Sequence, residues 1–213
     1  MKNYKKLFLQ AILAGASVAL GGTIFLKVNG GLTGAVFFSI GLLAICTRGY
    51  ALFTGKACYT LDNDKKYLLD LLVIWLGNFV GTFLVAFLER QTILNSENSA
   101  AMTYAKSIVS AKLSQSAISL LILGFFCNIF IYLAVNGYAK NPHEIGKYIM
   151  IIFGVTGFIL AGTEHCIADM YYFVFSGPIF TSTLSCLRAL LLITIGNFIG
   201  AISFPFIEKS LAK

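Results

Sequence analysis

Glu164, His165 and Asp169 lie within six residues of one another, inside the otherwise apolar stretch Ala161-Gly-Thr-Glu-His-Cys-Ile-Ala-Asp-Met170. A charged side chain at membrane depth costs roughly 2.5 to 3.5 kcal/mol on insertion scales, so such groups are seldom kept for packing alone. Histidine changes charge near neutral pH, so His165 is suited both to attracting an anion and to passing it a proton. His165 and Asp169 are four apart and share a face if the segment is helical. Glu164 also reads as one member of a hydrogen-bonded knot at a helix break. An acid/base or metal centre is the competing chemistry. The two histidines, His143 and His165, are too few for a multi-histidine site, and no nucleophile motif accompanies them, so neither enzyme activity, a metal nor a cofactor is expected.

The elements that hold these residues are apolar blocks. The 213 residues are 58% hydrophobic and 12% charged, with a mean hydropathy of +0.83. The blocks fall approximately at 8–27, 31–53, 67–88, 113–136, 148–170 and 183–207, each near the roughly 20 residues that a spanning helix needs. Six spans use most of the chain. It is therefore expected to be one all-α transmembrane domain over residues 1–213 in a lipid bilayer, with no soluble catalytic domain. The first block, preceded by Lys2, Lys5 and Lys6, is too long for a signal-peptide core and lacks a small-residue cleavage site. Cys46, Cys58, Cys127, Cys166 and Cys186 form no CxxC pair and read as packing residues.

The net charge of +7 sits at the ends of the blocks and reports orientation rather than nucleic-acid binding. Ten lysines (Lys2, Lys5, Lys6, Lys56, Lys65, Lys66, Lys140, Lys147, Lys209 and Lys213) fall on one side. Lys27, Arg90, Lys106, Lys112 and Arg188 fall on the other. The positive-inside rule then places both termini in the cytoplasm, and the expected location is the inner (plasma) membrane.

The two halves of the chain echo each other. Trp75-Leu-Gly-Asn-Phe-Val-Gly81 in the third block matches Thr194-Ile-Gly-Asn-Phe-Ile-Gly200 in the sixth, three spans later. An odd number of intervening spans makes the copies antiparallel, which predicts two inverted three-helix repeats over approximately 8–100 and 107–207. The second block carries Cys46-Thr-Arg-Gly-Tyr-Ala-Leu-Phe-Thr-Gly55 where the fifth carries the Glu164 segment. Glycine and polar groups in both predict broken second and fifth helices, of the kind tolerated where irregular backbone lines a cavity.

Gly162-Thr-Glu-His-Cys-Ile-Ala-Asp-Met170 resembles the G-x-E-H-S-[IV]-A-N-M signature of the formate/nitrite transporter family. The likeness extends over nearly the whole chain, through Phe38-Ser-Ile-Gly-Leu42, Leu52-Phe-Thr54, Asn128, Phe158 and Thr194 to Gly200. It implies a homopentamer of six-span, aquaporin-like protomers, each with its own pore for a small weak-acid anion: formate, nitrite or hydrosulfide. By the same likeness, His165, Glu164, Thr54, Lys112, Asn128 and Asn197 would line the pore or bind substrate. Phe38 and Phe158 would form the outer constriction, Leu42 and Leu52 the inner one, and Phe53 of the mobile second-span loop would also belong to the constriction. Apolar rings exclude an ion that keeps its water and charge. A weak-acid anion protonated near His165 would cross them as a neutral molecule.

Other roles stay open for several of these residues. Lys112 equally suits snorkelling at a helix end, and Asn128 and Asn197 suit helix-to-helix hydrogen bonding. A channel for a neutral solute is the alternative function, although the tandem Asn-Pro-Ala boxes of aquaporins are absent and Asn141-Pro142 falls in a polar loop. Three features depart from the family pattern: Asp169 stands where the signature has asparagine, Arg48 stands among usually uncharged residues, and the last loop and C-terminus are short. Asp169 adds an ionisable group beside His165. Arg48 suits either a carboxylate partner or the inner vestibule.

Overall fold

The computed structural model describes residues 3–211, so Lys2 and Lys213 of the charge count lie outside it. Among the described residues the chain is helical, with no strand. The long helices are α1 (Tyr4–Lys27), α2 (Gly31–Arg48), α4 (Tyr67–Glu89), α6 (Ala117–Lys140) and α10 (Thr183–Leu211), and these five are long and apolar enough to cross a membrane. At 1.5 Å per residue, the 24 residues of α1 span about 36 Å, more than the ~30 Å hydrocarbon core. Leu20, Leu72, Phe153 and Leu191 are among many large apolar side chains left exposed on the outside. That surface is stable against lipid and costly against water.

The second and fifth apolar blocks are interrupted as expected. α2 ends at Arg48, and α3 (Phe53–Ala57) restarts after residues 49–52. α7 (Glu144–Leu160) ends before residues 161–165, and α8 (Cys166–Phe175) restarts after them. Each break carries a left-handed glycine: Gly49 at φ +69° and Gly162 at φ +65°. A helix commonly terminates on such a residue because glycine has no Cβ to clash there. In both breaks the helix resumes at the fourth residue after that glycine, at Phe53 and at Cys166.

Two details differ from the sequence expectation. The fourth span runs over Ala117–Lys140 rather than 113–136, because Ser116 caps it by accepting from the Ser119 N–H at 3.2 Å. Residue 113 instead ends α5 (Ala100–Leu113), a helix that hydropathy alone did not reveal. A short α9 (Pro178–Thr181) precedes α10.

Two asparagines hold the breaks. Asn78 on α4 accepts from the Phe53 N–H at 2.8 Å and donates to the carbonyls of Ala11 (2.8 Å) and Ala51 (2.9 Å). Asn197 on α10 accepts from the Cys166 N–H at 2.9 Å and donates to the carbonyls of Gly124 (2.7 Å) and Glu164 (2.9 Å). Each amide thus joins a long helix, α1 or α6, to the break two residues before the restart. The breaks also donate back to those helices, Ala51 N–H to Gln10 O and Glu164 N–H to Leu123 O, both at 3.3 Å.

Close backbone approach makes this reach possible. A Cβ at Gly81 would lie 2.0 Å from the Ile12 carbonyl oxygen, and one at Gly200 would lie 2.2 Å from that of Phe125. Small residues at helix contacts permit this in membranes. Gly81→Ala and Gly200→Ala should each cost about 1–3 kcal/mol by forcing the helices apart, read as a lower melting temperature in detergent. Asn78→Ala and Asn197→Ala each remove the side-chain partner of one buried N–H and of one carbonyl in the break, Ala51 or Glu164, and an unsatisfied buried group costs about 1–3 kcal/mol. The two asparagine variants should lose comparable stability; a loss confined to one would show that the clamps are not equivalent.

Candidate functional site

α2 carries the first part of the site. Phe38, Leu42 and Cys46 follow at four-residue spacing on one face, about 6 Å apart along the axis. Phe38 lines a cavity of about 190 Å³ together with Phe25, Tyr104, Lys112, His165 and Asp169. One turn on, Leu42 lines a second cavity of about 140 Å³ with Leu52, Lys56, Tyr59 and Tyr138. Each has room for several water molecules. Between them the wall is apolar and tight. Phe38 and Phe158 meet edge to face at 6.1 Å between centroids, and the Phe158 ring stacks on the His165 imidazole at 5.5 Å. Phe38, Phe158, Leu42 and Leu52 are all buried.

His165 is the polar group at this wall, and the fold sets its tautomer. It precedes α8 as the N-cap, and its Nδ1 accepts the Ala168 N–H at 3.2 Å. A neutral imidazole that accepts at Nδ1 carries its hydrogen on Nε2. That nitrogen lies 3.0 Å from Thr54 Oγ1, at the start of α3, so the ring donates across from one break to the other. Asn128 supports the contact by donating from Nδ2 to the Thr54 carbonyl at 3.0 Å, while its Oδ1 is buried without a partner.

Lys112, at the end of α5, reaches into the Glu164 break. It pairs with Glu164 Oε2, and its Nζ lies 3.0 Å from Asp169 Oδ1. Gln115 donates to Glu164 Oε1 at 2.7 Å and is itself held by Ser119, whose hydroxyl donates to Gln115 Oε1 at 2.7 Å. The Glu164 carboxylate is therefore satisfied by side chains, not by the backbone N–H groups freed at the break. Asp169 shares the same ammonium: Lys112 Nζ lies 3.0 Å from its Oδ1, and the Glu164 carboxylate is its other close charged neighbour.

The structure thus places Phe38, Phe158, Lys112 and His165 on one cavity and Leu42 and Leu52 on the other; Thr54, Asn128 and Glu164 line neither and join the site through Thr54–His165, Asn128–Thr54 and Lys112–Glu164 contacts. Asn197 and Phe53 are placed differently. The Asn197 amide is spent on three backbone groups, away from either cavity. Phe53 begins α3 with its N–H held by Asn78, and its ring turns into an apolar groove between α4 and α10 with Trp75 and Phe198. Arg48 is exposed and forms no ion pair among the described residues. Sequence reasoning quoted Asn78 within its repeat without assigning it a part, although its match to Asn197 was a usable signal. Gln115, Tyr104, Phe25 and Tyr172 carried no such signal.

Comparison with known proteins places this geometry. The family model described as Formate/nitrite transporter matches residues 1–207. The chain is 28% identical to a probable formate transporter of Methanothermobacter thermautotrophicus over 93% of its own length and 85% of that protein's. It is 25% identical to a formate-nitrite transporter of Entamoeba histolytica, covering 92% of this chain but only 60% of that longer protein. A solved structure described as a pentameric formate channel with formate bound superposes with a TM-score of 0.83 at 24% identity, over 98% of this chain and 97% of that one. By the family match over nearly its whole length, the chain is a membrane transport protein and belongs to the formate/nitrite transporter family.

Proposed function

We propose that this chain is a pore for small monovalent anions of weak acids, formate, nitrite or hydrosulfide, in a protomer that crosses the bilayer six times as two inverted three-helix halves. The observation that carries this reading is the pair of cavities separated by Phe38, Phe158, Leu42 and Leu52, with the His165–Thr54 hydrogen bond at the wall between them. An apolar ring rejects an ion that keeps its charge, and a weak acid can lose that charge by taking a proton. The anion is drawn into the cavity that holds Lys112, protonated at or near His165, and passes the rings as a neutral acid. His165 Nε2 then gives the passing acid a hydrogen-bond donor where the walls are otherwise carbon.

The assembly in this reading is a homopentamer, as in the solved channel of like fold, with a complete path in each protomer. Both termini face the cytoplasm. The smaller cavity, lined by Lys56 and Tyr59, then opens to the lysine-rich inner side, and the Lys112 cavity opens outward.

Uptake of formate, nitrite, hydrosulfide, acetate and chloride into proteoliposomes at several pH values tests the function. The intact protein should carry the three small weak-acid anions in preference to chloride, and faster as pH falls. His165→Asn keeps an N-cap and removes the imidazole, and it should change the rate or the order of preference. No anion flux from the intact protein sinks the reading and brings a neutral-solute channel forward.

A further inference from the structure

The wall of the larger cavity carries a charge imbalance. Glu164 accepts from both Lys112 and Gln115, so it forms a complete one-to-one ion pair with the lysine. Asp169 is a second carboxylate on the same cation, fully buried beside the Glu164 carboxylate, and it lines the cavity. The groups facing it are Lys112 and Tyr104 from α5, Glu164 and His165 from the break, Cys166 and Tyr172 from α8, and Cys127 from α6. Lys112 is the one fixed cation among them. With both carboxylates ionised the cluster is net negative, and its field opposes the anion that must enter the adjacent space. With one proton on Asp169 the cluster is neutral.

We propose that Asp169 holds an exchangeable proton beside Lys112 and transfers it to the weak-acid anion in the cavity, so that passage is coupled to one proton per anion. This rests on the weak-acid pore reading above and names the donor that reading leaves open. In the transfer the Asp169 O–H bond breaks and its electron pair stays on the carboxylate. The proton bonds to an oxygen of formate or nitrite, or to the sulfur of hydrosulfide, giving the neutral acid that crosses the Phe38–Phe158 ring. Lys112, 3.0 Å from Oδ1, stabilises the carboxylate left behind until a hydronium ion from the outer solution delivers a proton to it and leaves as water. Coupling of this kind is reciprocal: bound anion favours the protonated carboxyl, and the protonated carboxyl favours bound anion.

The test combines infrared spectroscopy with flux, on the intact protein, Asp169→Asn and Asp169→Glu, each checked for monodispersity in detergent. The intact protein should show a protonated-carboxyl band that titrates with pH and grows when formate is added at fixed pH. Its formate flux in proteoliposomes should level off below the same midpoint and fall about tenfold per pH unit above it, the slope for one linked proton. In Asp169→Asn the band and the levelling-off should both vanish, and Asp169→Glu should restore both with a displaced midpoint. Formate flux from intact protein with an unchanged band and midpoint in Asp169→Asn overturns the assignment while leaving the pore reading standing. Absence of anion flux from intact protein at every pH overturns both. If Asp169→Asn does not fold, the formate-dependent band of the intact protein and its displacement in Asp169→Glu decide the matter, and a band indifferent to formate rejects the proposal.

Discussion

The fold depends on one constraint: a helix broken at membrane depth must find partners for the backbone groups it releases, because hydrocarbon offers none. Asn78 and Asn197 meet it with the same three hydrogen bonds. An asparagine amide suits this task because one planar group offers an acceptor and two donor hydrogens. It can therefore take the N–H of the restarting helix and supply two carbonyls at once. Reaching all three requires the helix that carries it to lie almost in contact with its neighbour, which the bare backbones at Gly81 and Gly200 allow. Glycine and asparagine in the G-N-F-[VI]-G segments thus belong to one device.

The two breaks share geometry but carry different side chains. Counting from the left-handed glycine, Leu52 and His165 stand at the same position, as do Ala51 and Glu164. The backbone solution is symmetric, whereas the chemistry is not. One break offers the path a hydrocarbon side chain. The other offers an imidazole whose Nδ1 is used to cap α8, leaving Nε2 to act across the wall. A polar contact on one side of an apolar ring suits a permeant that crosses as a neutral molecule and is recognised by a single hydrogen bond, which is sparse chemistry for a hydrated ion.

Much of this was legible in the sequence, for reasons of period and composition. The apolar blocks mark the long helices because a spanning segment has few alternatives. The breaks at Gly49 and Gly162 showed because polar residues in an apolar run demand an explanation, and the repeated asparagine segment showed which helices match. The remainder was set by contacts distant in the chain. α5 is too mixed in composition to stand out, although Met102, Ala105 and Val109 bury one side of it. Lys112 lies far from Glu164 in sequence, so neither its pairing nor the sharing of its charge with Asp169 was visible from spacing. Phe53 sits in a motif that pointed to the constriction, yet starting a helix at that residue turns its ring toward α4 and α10. His165 and Asp169 keep their four-residue spacing, but the helix begins between them, so they act as a cap and a first-turn residue.

That last placement bears on why a second carboxylate is tolerated here. Asp169 sits in the first turn of α8, where the helix dipole favours negative charge. Glu164 lies just before the same terminus. Both carboxylates are therefore partly supported by the start of a helix that Asn197 holds in place, and Lys112 adds the one full positive charge. Removing a partner from a buried charged cluster usually costs far more than the cluster contributes, because the remaining charge is left uncompensated. In the proposed step Asp169 avoids that penalty either by ionising toward Lys112 or by taking a proton. A site with two states of similar fit can exchange between them without rearranging the helices, and that is the property a proton-linked step in a rigid pore requires.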